Sequence, residues 1–295
     1  MKNRLPPWFR QDIPDAQVLE RMRLFSRLNV HTVCQEAKCP NSSHCFKNLE
    51  FTFVILGDIC TRSCRFCAVK KSGILLRLGQ ELVLPVDLGE PDKISRIVRL
   101  FKLNYVVITS VTRDDLADGG AGQFAKTIEL IRAIDKNIKI EVLVPDFSSN
   151  SQSLKTVIEA KPSIFAHNIE TIARLYKTLR PKAGYQASLD ILSRSKVISP
   201  SLITKSSLML GLGEKEAEVL ETMQDLRRSH CDILMLGQYL APSPGHYPVK
   251  EFISMEQFTE YRKRALALGF KGVSSGPKVR SSYQAEKVYR EVQYA

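Results

Sequence analysis

No apolar run in the 295 residues approaches the roughly 20 needed to cross a bilayer. The opening MKNRLPPWFRQDIPD lacks the apolar centre of a secretory leader. It also lacks the long, Ser/Arg-rich, acid-poor character of an organelle import signal. The expected location is therefore cytoplasmic, or that of a mature form whose leader has been removed. No GxGxxG follows the first candidate strand, so the usual sign of a dinucleotide site is missing. There is no internal repeat and no low-complexity segment. What is missing most pointedly is a fourth cysteine. Six of the seven cysteines lie between residues 34 and 67, in two groups of three, whereas structural zinc sites and ordinary iron–sulfur clusters take four protein ligands.

What is present is an ordinary globular composition, 44% hydrophobic and 25% charged, with a net charge of +12. That charge suits an acidic partner, or serves only to keep the chain soluble. A secreted disulfide scaffold would be shorter and its cysteines more spread out, so the clustered thiols point to metal in a reducing compartment. Cys231 stands alone in the apolar run CDILMLGQYL and reads as a core residue.

Residues 1–50 are irregular, with one helical stretch near 16–28. Short apolar runs then alternate with segments of helical period. The candidate strands are 51–57, 105–110, 139–145, 163–170, 203–213 and 232–240. Candidate helices lie near 92–103, 122–136, 151–160, 185–196, 214–229 and 255–268, some with start signals such as Asp92 and Ser151, and LGF at 268–270 reads as a stop. Strands followed by helices predict an α/β fold with a parallel sheet curled into a barrel or part of one, with an open doubly wound sheet as the alternative. Residues 71–91 read as a long connection with a short strand of its own.

GDICTRSCRFCAVK carries Cys60, Cys64 and Cys67 as C-x3-C-x2-C, directly after the first strand. In a barrel this is the C-terminal rim, where active sites sit. The spacing does not match the paired C-x2-C halves of zinc ribbons. Three thiolates can instead hold a [4Fe–4S] cluster by three irons and leave the fourth open. With Phe66 before the last cysteine, this segment resembles the radical S-adenosylmethionine superfamily. That resemblance implies that S-adenosylmethionine chelates the open iron and is cleaved to a 5′-deoxyadenosyl radical.

Cys34, Cys39 and Cys45 form C-x4-C-x5-C only fifteen residues before Cys60. Two triplets so close suggest two clusters. The alternative is zinc completed by His44, but neighbouring residues such as His44 and Cys45 seldom converge on one tetrahedral metal. Here the likeness extends along the chain. LPPWFRQDIP, TVCQEAKCPN, ILGDICTRSCRFCAV, VVITSVTRDDLADGGA, VPDF, HNIET, RPKAGY, KSSLMLGLGE, GQYLAPS and GPKVRSSY occur in the order found in the lipoyl synthase family, from about residue 5 to residue 285.

The resemblance implies a partial (β/α)6 TIM-like barrel with N-terminal and C-terminal extensions covering the barrel mouth. The divisions are 1–50, carrying the auxiliary-cluster cysteines; 51–254, the barrel core; and 255–295, carrying RSSY. The implied reaction inserts two sulfur atoms, at C6 and C8, into an octanoyl chain on a lysine of a carrier protein. The sulfur comes from an auxiliary [4Fe–4S] cluster on Cys34, Cys39, Cys45 and Ser282. The implied partners are acidic octanoylated lipoyl carrier domains, an electron donor such as ferredoxin or flavodoxin, and an iron–sulfur carrier that rebuilds the cluster; neither nucleic acid nor membrane is implied. A methylthiotransferase acting on transfer RNA also carries two clusters and suits the basic charge, but it lacks this N-terminal triplet and the RSSY tail.

Thr109 and Ser110 at one strand end, and Asn168 and Glu170 at another, either contact S-adenosylmethionine or serve as turn and cap residues. Asp114, Asp115 and Asp118 either cap the next helix or position the site. His167 reads as a hydrogen-bonded core residue, and no general acid or base is needed. Arg62, Arg65, Lys70 and Lys71 flank the radical triplet and are expected to face the acidic carrier. NLEFTF before the first strand, Gln284 after RSSY and the long connection at 72–91 depart from the family pattern.

Overall fold

The structure is a computed structural model that describes Pro6, Phe9 and residues 13–72 and 85–293. Most of LPPWFRQDIP and of the long connection lie outside the described residues.

One eight-stranded sheet organises the chain. Its strands are β1 (His31–Thr32), β2 (Thr52–Ile55), β5 (Tyr105–Ser110), β6 (Lys139–Leu143), β7 (Ile164–Ala166), β8 (Ile203–Leu210), β9 (Ile233–Gln238) and β10 (Gly272–Gly276), in that spatial order. The short pair β3 (Ile59–Cys60) and β4 (Lys70–Lys71) stands apart. From β2 to β10 every pairing is parallel, and only β1 runs antiparallel, against β2. Parallel neighbours require crossovers, and helices supply them. Among the described residues β1 and β10 remain edges, so the sheet is a partial barrel rather than a closed one.

All six expected strands and seven expected helices are present. The helices are α1 (Ala16–Arg27), α4 (Glu90–Leu100), α5 (Ala121–Arg132), α6 (Ser151–Glu159), α8 (Tyr185–Ile198), α9 (Glu216–Arg228) and α10 (Met255–Ala267). Four more were not foreseen: α2 (Val33–Glu36), α3 (Ser42–Lys47), α7 (Ala173–Leu179) and α11 (Ala285–Gln293). Helix starts differ in detail from the expectation. Asn150, not Ser151, caps α6 through its side-chain oxygen, and Asp92 lies inside the first turn of α4 rather than before it.

Alternation along each strand separates two faces. On β6, Ile140 and Val142 join the large core with Phe124, Ile128 and Leu154 of the outer helices. Glu141 points the other way, into the barrel. There it accepts from Lys205 Nζ at 2.8 and 3.0 Å and from the Tyr105 hydroxyl at 2.8 Å. Glu141 and Lys205 are each 1% exposed, so they form a buried ion pair.

The N-terminal extension is fastened by rings. Phe25 of α1 packs on Phe46 of α3 at 5.3 Å, on Phe51 at 4.7 Å and on Phe53 of β2 at 5.9 Å between centroids. The C-terminal extension takes a different path. Gly237 near the end of β9 lets the Val279 carbonyl approach, since a Cβ there would lie 2.1 Å from that oxygen. The tail then passes Asn168 beyond β7, bonded by Ser281 at 2.8 Å, and reaches Thr52 at the start of β2. Finally α11 packs on strand starts: Tyr289 lies 5.8 Å from Tyr105, and Val288 and Val292 crowd Gly272. The tail thus runs from the carboxyl ends of the strands to their starts, and its helix covers the strand-start end.

Candidate functional site

The Cys60–Cys67 loop begins at a turn held from outside. The buried Glu90 carboxylate accepts the Leu56 amide at 2.7 Å and the Gly57 amide at 3.3 Å. Pairing of Ile59 with Lys70 and Cys60 with Lys71 closes the loop's base. Four other connections tie the loop down. The Arg65 amide donates to the Leu179 carbonyl at 2.9 Å, the Tyr247 amide to the Arg65 carbonyl at 2.9 Å, and His246 Nε2 to the Cys67 carbonyl at 3.1 Å. The fourth is Arg62. Its guanidinium donates to both Asp146 oxygens at 2.6 Å and to Asp114 at 2.8 and 2.9 Å.

Inside the loop the Arg62 amide points at Cys60 Sγ, 3.4 Å away. The three thiols are half-buried and close enough to sense one another: Cys60 and Cys64 both act on Cys67. Burial pushes Cys64 upward and Cys67 to about 12. They stay protonated until a cation displaces the protons, which is the chemistry of a thiolate metal site.

Around this loop lie the strand ends. The Thr109 hydroxyl is engaged, donating to the Leu143 carbonyl at 2.8 Å. The Ser110 hydroxyl is buried without a hydrogen-bond partner among the described residues. Asn168 donates to Glu170 at 3.1 Å and accepts from Ser281. Glu170 holds a φ of 66° and bridges to Leu208 of β8. Burial raises its carboxyl, and the nearby Arg180 and Asn168 act against that.

Arg180 was not singled out from the sequence, although RPKAGY contains it. Its Nη1 donates to the Asn168 carbonyl at 3.2 Å and to the Tyr176 hydroxyl, while its buried Nε has no partner among the described residues. It also lies beside Cys64. Behind it runs a continuous chain of hydrogen bonds. Tyr176 and Ser188 hydroxyls are 2.5 Å apart, Ser188 Oγ is 2.9 Å from His167 Nε2, and His167 Nδ1 is 2.8 Å from the Val144 carbonyl. The carbonyl can only accept, so His167 is protonated on Nδ1 and accepts from Ser188.

His167 is therefore the core residue expected from its apolar strand. Burial, with Arg180 nearby, lowers it to about 4. Below its ordinary value of about 6.5 the unfolded chain takes a proton that the native chain refuses. Stability should fall as pH drops from 6.5 toward 4, by roughly 3 kcal/mol in full. Urea unfolding of the wild type and of His167→Gln at pH 7 and pH 4.5 checks this; an unchanged slope in the variant would refute it.

The first triplet is built on short helices. Thr32 caps α2, its hydroxyl accepting the Gln35 amide at 3.3 Å, which sets Cys34 inside the first turn. Ser42 opens α3 and donates to the Cys34 carbonyl at 2.8 Å and to the Cys39 carbonyl at 2.5 Å. Cys34 and Cys45 are buried side by side, and the interaction between their thiols lowers Cys34 and raises Cys45. Burial raises Cys39, against the pull of the nearby Arg280. The nearby Thr52 amide also lowers Cys34.

The tail meets this triplet at three points. Asn41 Nδ2 donates to the Lys278 carbonyl at 2.7 Å, the His44 and Tyr283 rings lie 5.8 Å apart, and the Ser282 and Thr52 hydroxyls are 2.6 Å apart. His44 turns its nitrogens to Asn48, at 3.1 and 3.3 Å, rather than to the thiols. That geometry does not support zinc completed by His44.

The expected basic surface is corrected in part. Arg62 is 6% exposed and fully occupied by two carboxylates, so it cannot face a partner. Lys70 is paired with Asp58, and Arg65 lies 5.8 Å over the Tyr247 ring. The aspartates divide their roles: Asp114 binds Arg62, Asp115 binds Arg113 at 2.7 Å, and Asp118 accepts the Gly120 and Gly122 amides at 2.8 Å around the start of α5. Cys231 is buried in the core, where burial raises it to about 12.

The profile of the Radical SAM superfamily matches residues 54–226. A lipoyl synthase from Caldicellulosiruptor saccharolyticus is 48% identical over 97% of this chain and 98% of its own length. One from Geotalea daltonii is 48% identical over 96% and 93%, and one from Caldanaerobacter subterraneus 47% identical over 97% of each. Among solved structures, the [FeFe]-hydrogenase maturase HydG aligns with a TM-score of 0.58 at 11% identity, over 81% of this chain and 53% of that one. Streptococcus suis SuiB bound to S-adenosylmethionine aligns with a TM-score of 0.53 at 12% identity, over 77% and 51%. At that identity the structural likeness speaks for the fold alone.

Proposed function

The chain belongs to the lipoyl synthase family of the radical SAM superfamily, and from that premise we propose how its residues divide the work. The reaction is insertion of two sulfur atoms at C6 and C8 of a protein-bound octanoyl group. Cys60, Cys64 and Cys67 would hold one [4Fe–4S] cluster and S-adenosylmethionine; Cys34, Cys39, Cys45 and Ser282 would hold the auxiliary one. Bound there, the first supplies the electron that cleaves S-adenosylmethionine and the second supplies sulfide.

The observation that carries this reading is the meeting of the chain's two ends. Ser282 is bonded to Thr52, and the amide of that same residue faces Cys34. A triplet short of one ligand thus has a hydroxyl oxygen beside it. The donor sets suit the groups they would hold: within each triplet the thiols are near enough to act on one another electrostatically, and beside the radical triplet Ser110 Oγ and Arg180 Nε are buried donors without partners among the described residues. Such orphans suit a polar molecule rich in acceptors. Ser110, Asn168, Glu170 and Arg180 are the residues we assign to orienting the methionyl and ribose groups. Thr109, whose hydroxyl is engaged by the Leu143 carbonyl, would line the site at the end of β5.

The partner we propose is an acidic octanoylated carrier domain, drawn by the net charge of +12. A ferredoxin or flavodoxin would deliver electrons, and an iron–sulfur carrier would rebuild the auxiliary cluster. Among the described residues no helix is long and apolar enough to cross a membrane, and a cytoplasmic location fits a radical chemistry that needs reducing conditions.

The test is mass spectrometry of an octanoylated carrier peptide after anaerobic incubation with the iron-loaded chain, S-adenosylmethionine and a reductant. Two sulfur atoms should be gained, with two 5′-deoxyadenosines per lipoyl group; a peptide without added sulfur would overturn the reading.

A further inference from the structure

Thr52 does not belong to any motif that led to the site, yet it touches two of the four proposed auxiliary ligands. It is 4% exposed, the first residue of β2, and its neighbours Phe51 and Phe53 are locked in the aromatic cluster. Its hydroxyl lies 2.6 Å from Ser282 Oγ and its amide faces Cys34. The residues on either side of Ser282 are held by other groups. Ser281 before it is bonded to Asn168 at 2.8 Å, and the ring of Tyr283 after it lies 5.8 Å from that of His44, so the tail is fastened on both sides.

Resting on the ligand assignment above, we propose that Thr52 is a positioning residue that hydrogen-bonds the Ser282 oxygen and so sets how strongly that oxygen holds iron. A serine oxygen that binds a metal has given up its own proton. In that state it can only accept, so the hydroxyl pair must have Thr52 as its donor. A hydrogen bond to an oxygen carrying negative charge is among the stronger kinds. It withdraws charge that the oxygen would otherwise share with iron and leaves the serine the weakest of the four ligands. A site that must yield sulfide needs one ligand that lets go.

The experiment compares the anaerobically loaded full chain with Thr52→Val, Thr52→Ser and Ser282→Ala. Iron loss from the auxiliary site to a chelator is followed together with the Mössbauer signal of the oxygen-ligated iron. Valine keeps the shape and removes the donor. The expected result is about tenfold slower iron loss in Thr52→Val, in line with a charge-assisted hydrogen bond, and a shifted Mössbauer signal. The ratio of 5′-deoxyadenosine formed to sulfur inserted should also rise, and Thr52→Ser should restore all three readouts.

If Thr52→Val loses iron at the wild-type rate or faster while Ser282→Ala changes the Mössbauer signal, the proposal falls and Ser282 remains a ligand. If Ser282→Ala changes nothing, the ligand assignment itself falls, and the role of Thr52 with it.

Discussion

Replacing any one of Cys34, Cys39 or Cys45 with Ala should abolish sulfur insertion and leave S-adenosylmethionine cleavage running. Replacing any one of Cys60, Cys64 or Cys67 should abolish both. The asymmetry follows from the two triplets being built separately. The first rests on α2, α3 and Thr52, the second on the clamp around Arg62 and on strand ends. No hydrogen bond connects one thiol group to the other among the described residues, so losing one site should leave the other loaded. Iron and sulfide should fall from about eight of each per chain to about four in either class of variant. The measurements are iron and sulfide content, 5′-deoxyadenosine by chromatography and product mass. A first-triplet variant that still inserts sulfur would refute the assignment of a donor to that site.

Arg62→Ala should lower stability by roughly 3 kcal/mol or more and strip iron from the radical site first. This guanidinium is buried between Asp114 and Asp146, and removing one side of a buried ion pair leaves the other side's charge uncompensated. Here two carboxylates are left. Both are held below the usual carboxylate range by Arg62 against the opposing effect of burial, so their stabilising contribution is present near neutral pH and fades as pH falls. Asp146 is followed by a tight turn in which Phe147, Ser148 and Ser149 all have positive φ, and Arg62 helps to hold that turn. Chemical denaturation gives the stability change, and iron bound per chain gives the effect on the loop between Cys60 and Cys64. Arg62→Lys should recover little, because an ammonium cannot serve two carboxylates with a planar fork.

Much of this architecture was readable beforehand, for physical reasons. Strands such as VVIT and ILML are apolar on both faces because helices cover one side and the barrel interior the other, and the helices between them have a single apolar stripe. β10 was invisible because GVSSG has little to read: Gly272 is there to admit Val292, and a pattern of absent side chains carries no period. The helices bearing Cys34 and Cys45 are four and six residues long, too short for periodicity. Sequence spacing identified the thiols, but not the fate of Arg62. A charged residue reads as surface by default, and only the carboxylates brought from residues 114 and 146 make its burial tolerable. Arg180 and Thr52 were missed for a related reason: their partners are distant in sequence, and nothing local distinguishes them.

The meeting of the tail with the first cysteine segment, Asn41 with Lys278 and His44 with Tyr283, also changes what kind of object the chain is. With the proposed ligands drawn from both extensions, a filled auxiliary site would close the chain from residue 45 to residue 282 into a ring of 238 residues. Closing a ring of that size removes on the order of 5 kcal/mol of unfolded-state entropy in chain-entropy treatments. On the proposed reaction, a site that gives up its contents during turnover would open the ring it had closed. The freshly used catalyst would keep its extensions in place by ring packing and hydrogen bonds but without that crosslink, and should be more exposed to unfolding and to proteases than the form that began the cycle. Wear is then built into the topology, and refilling the site restores the fold's clasp as well as its reagent.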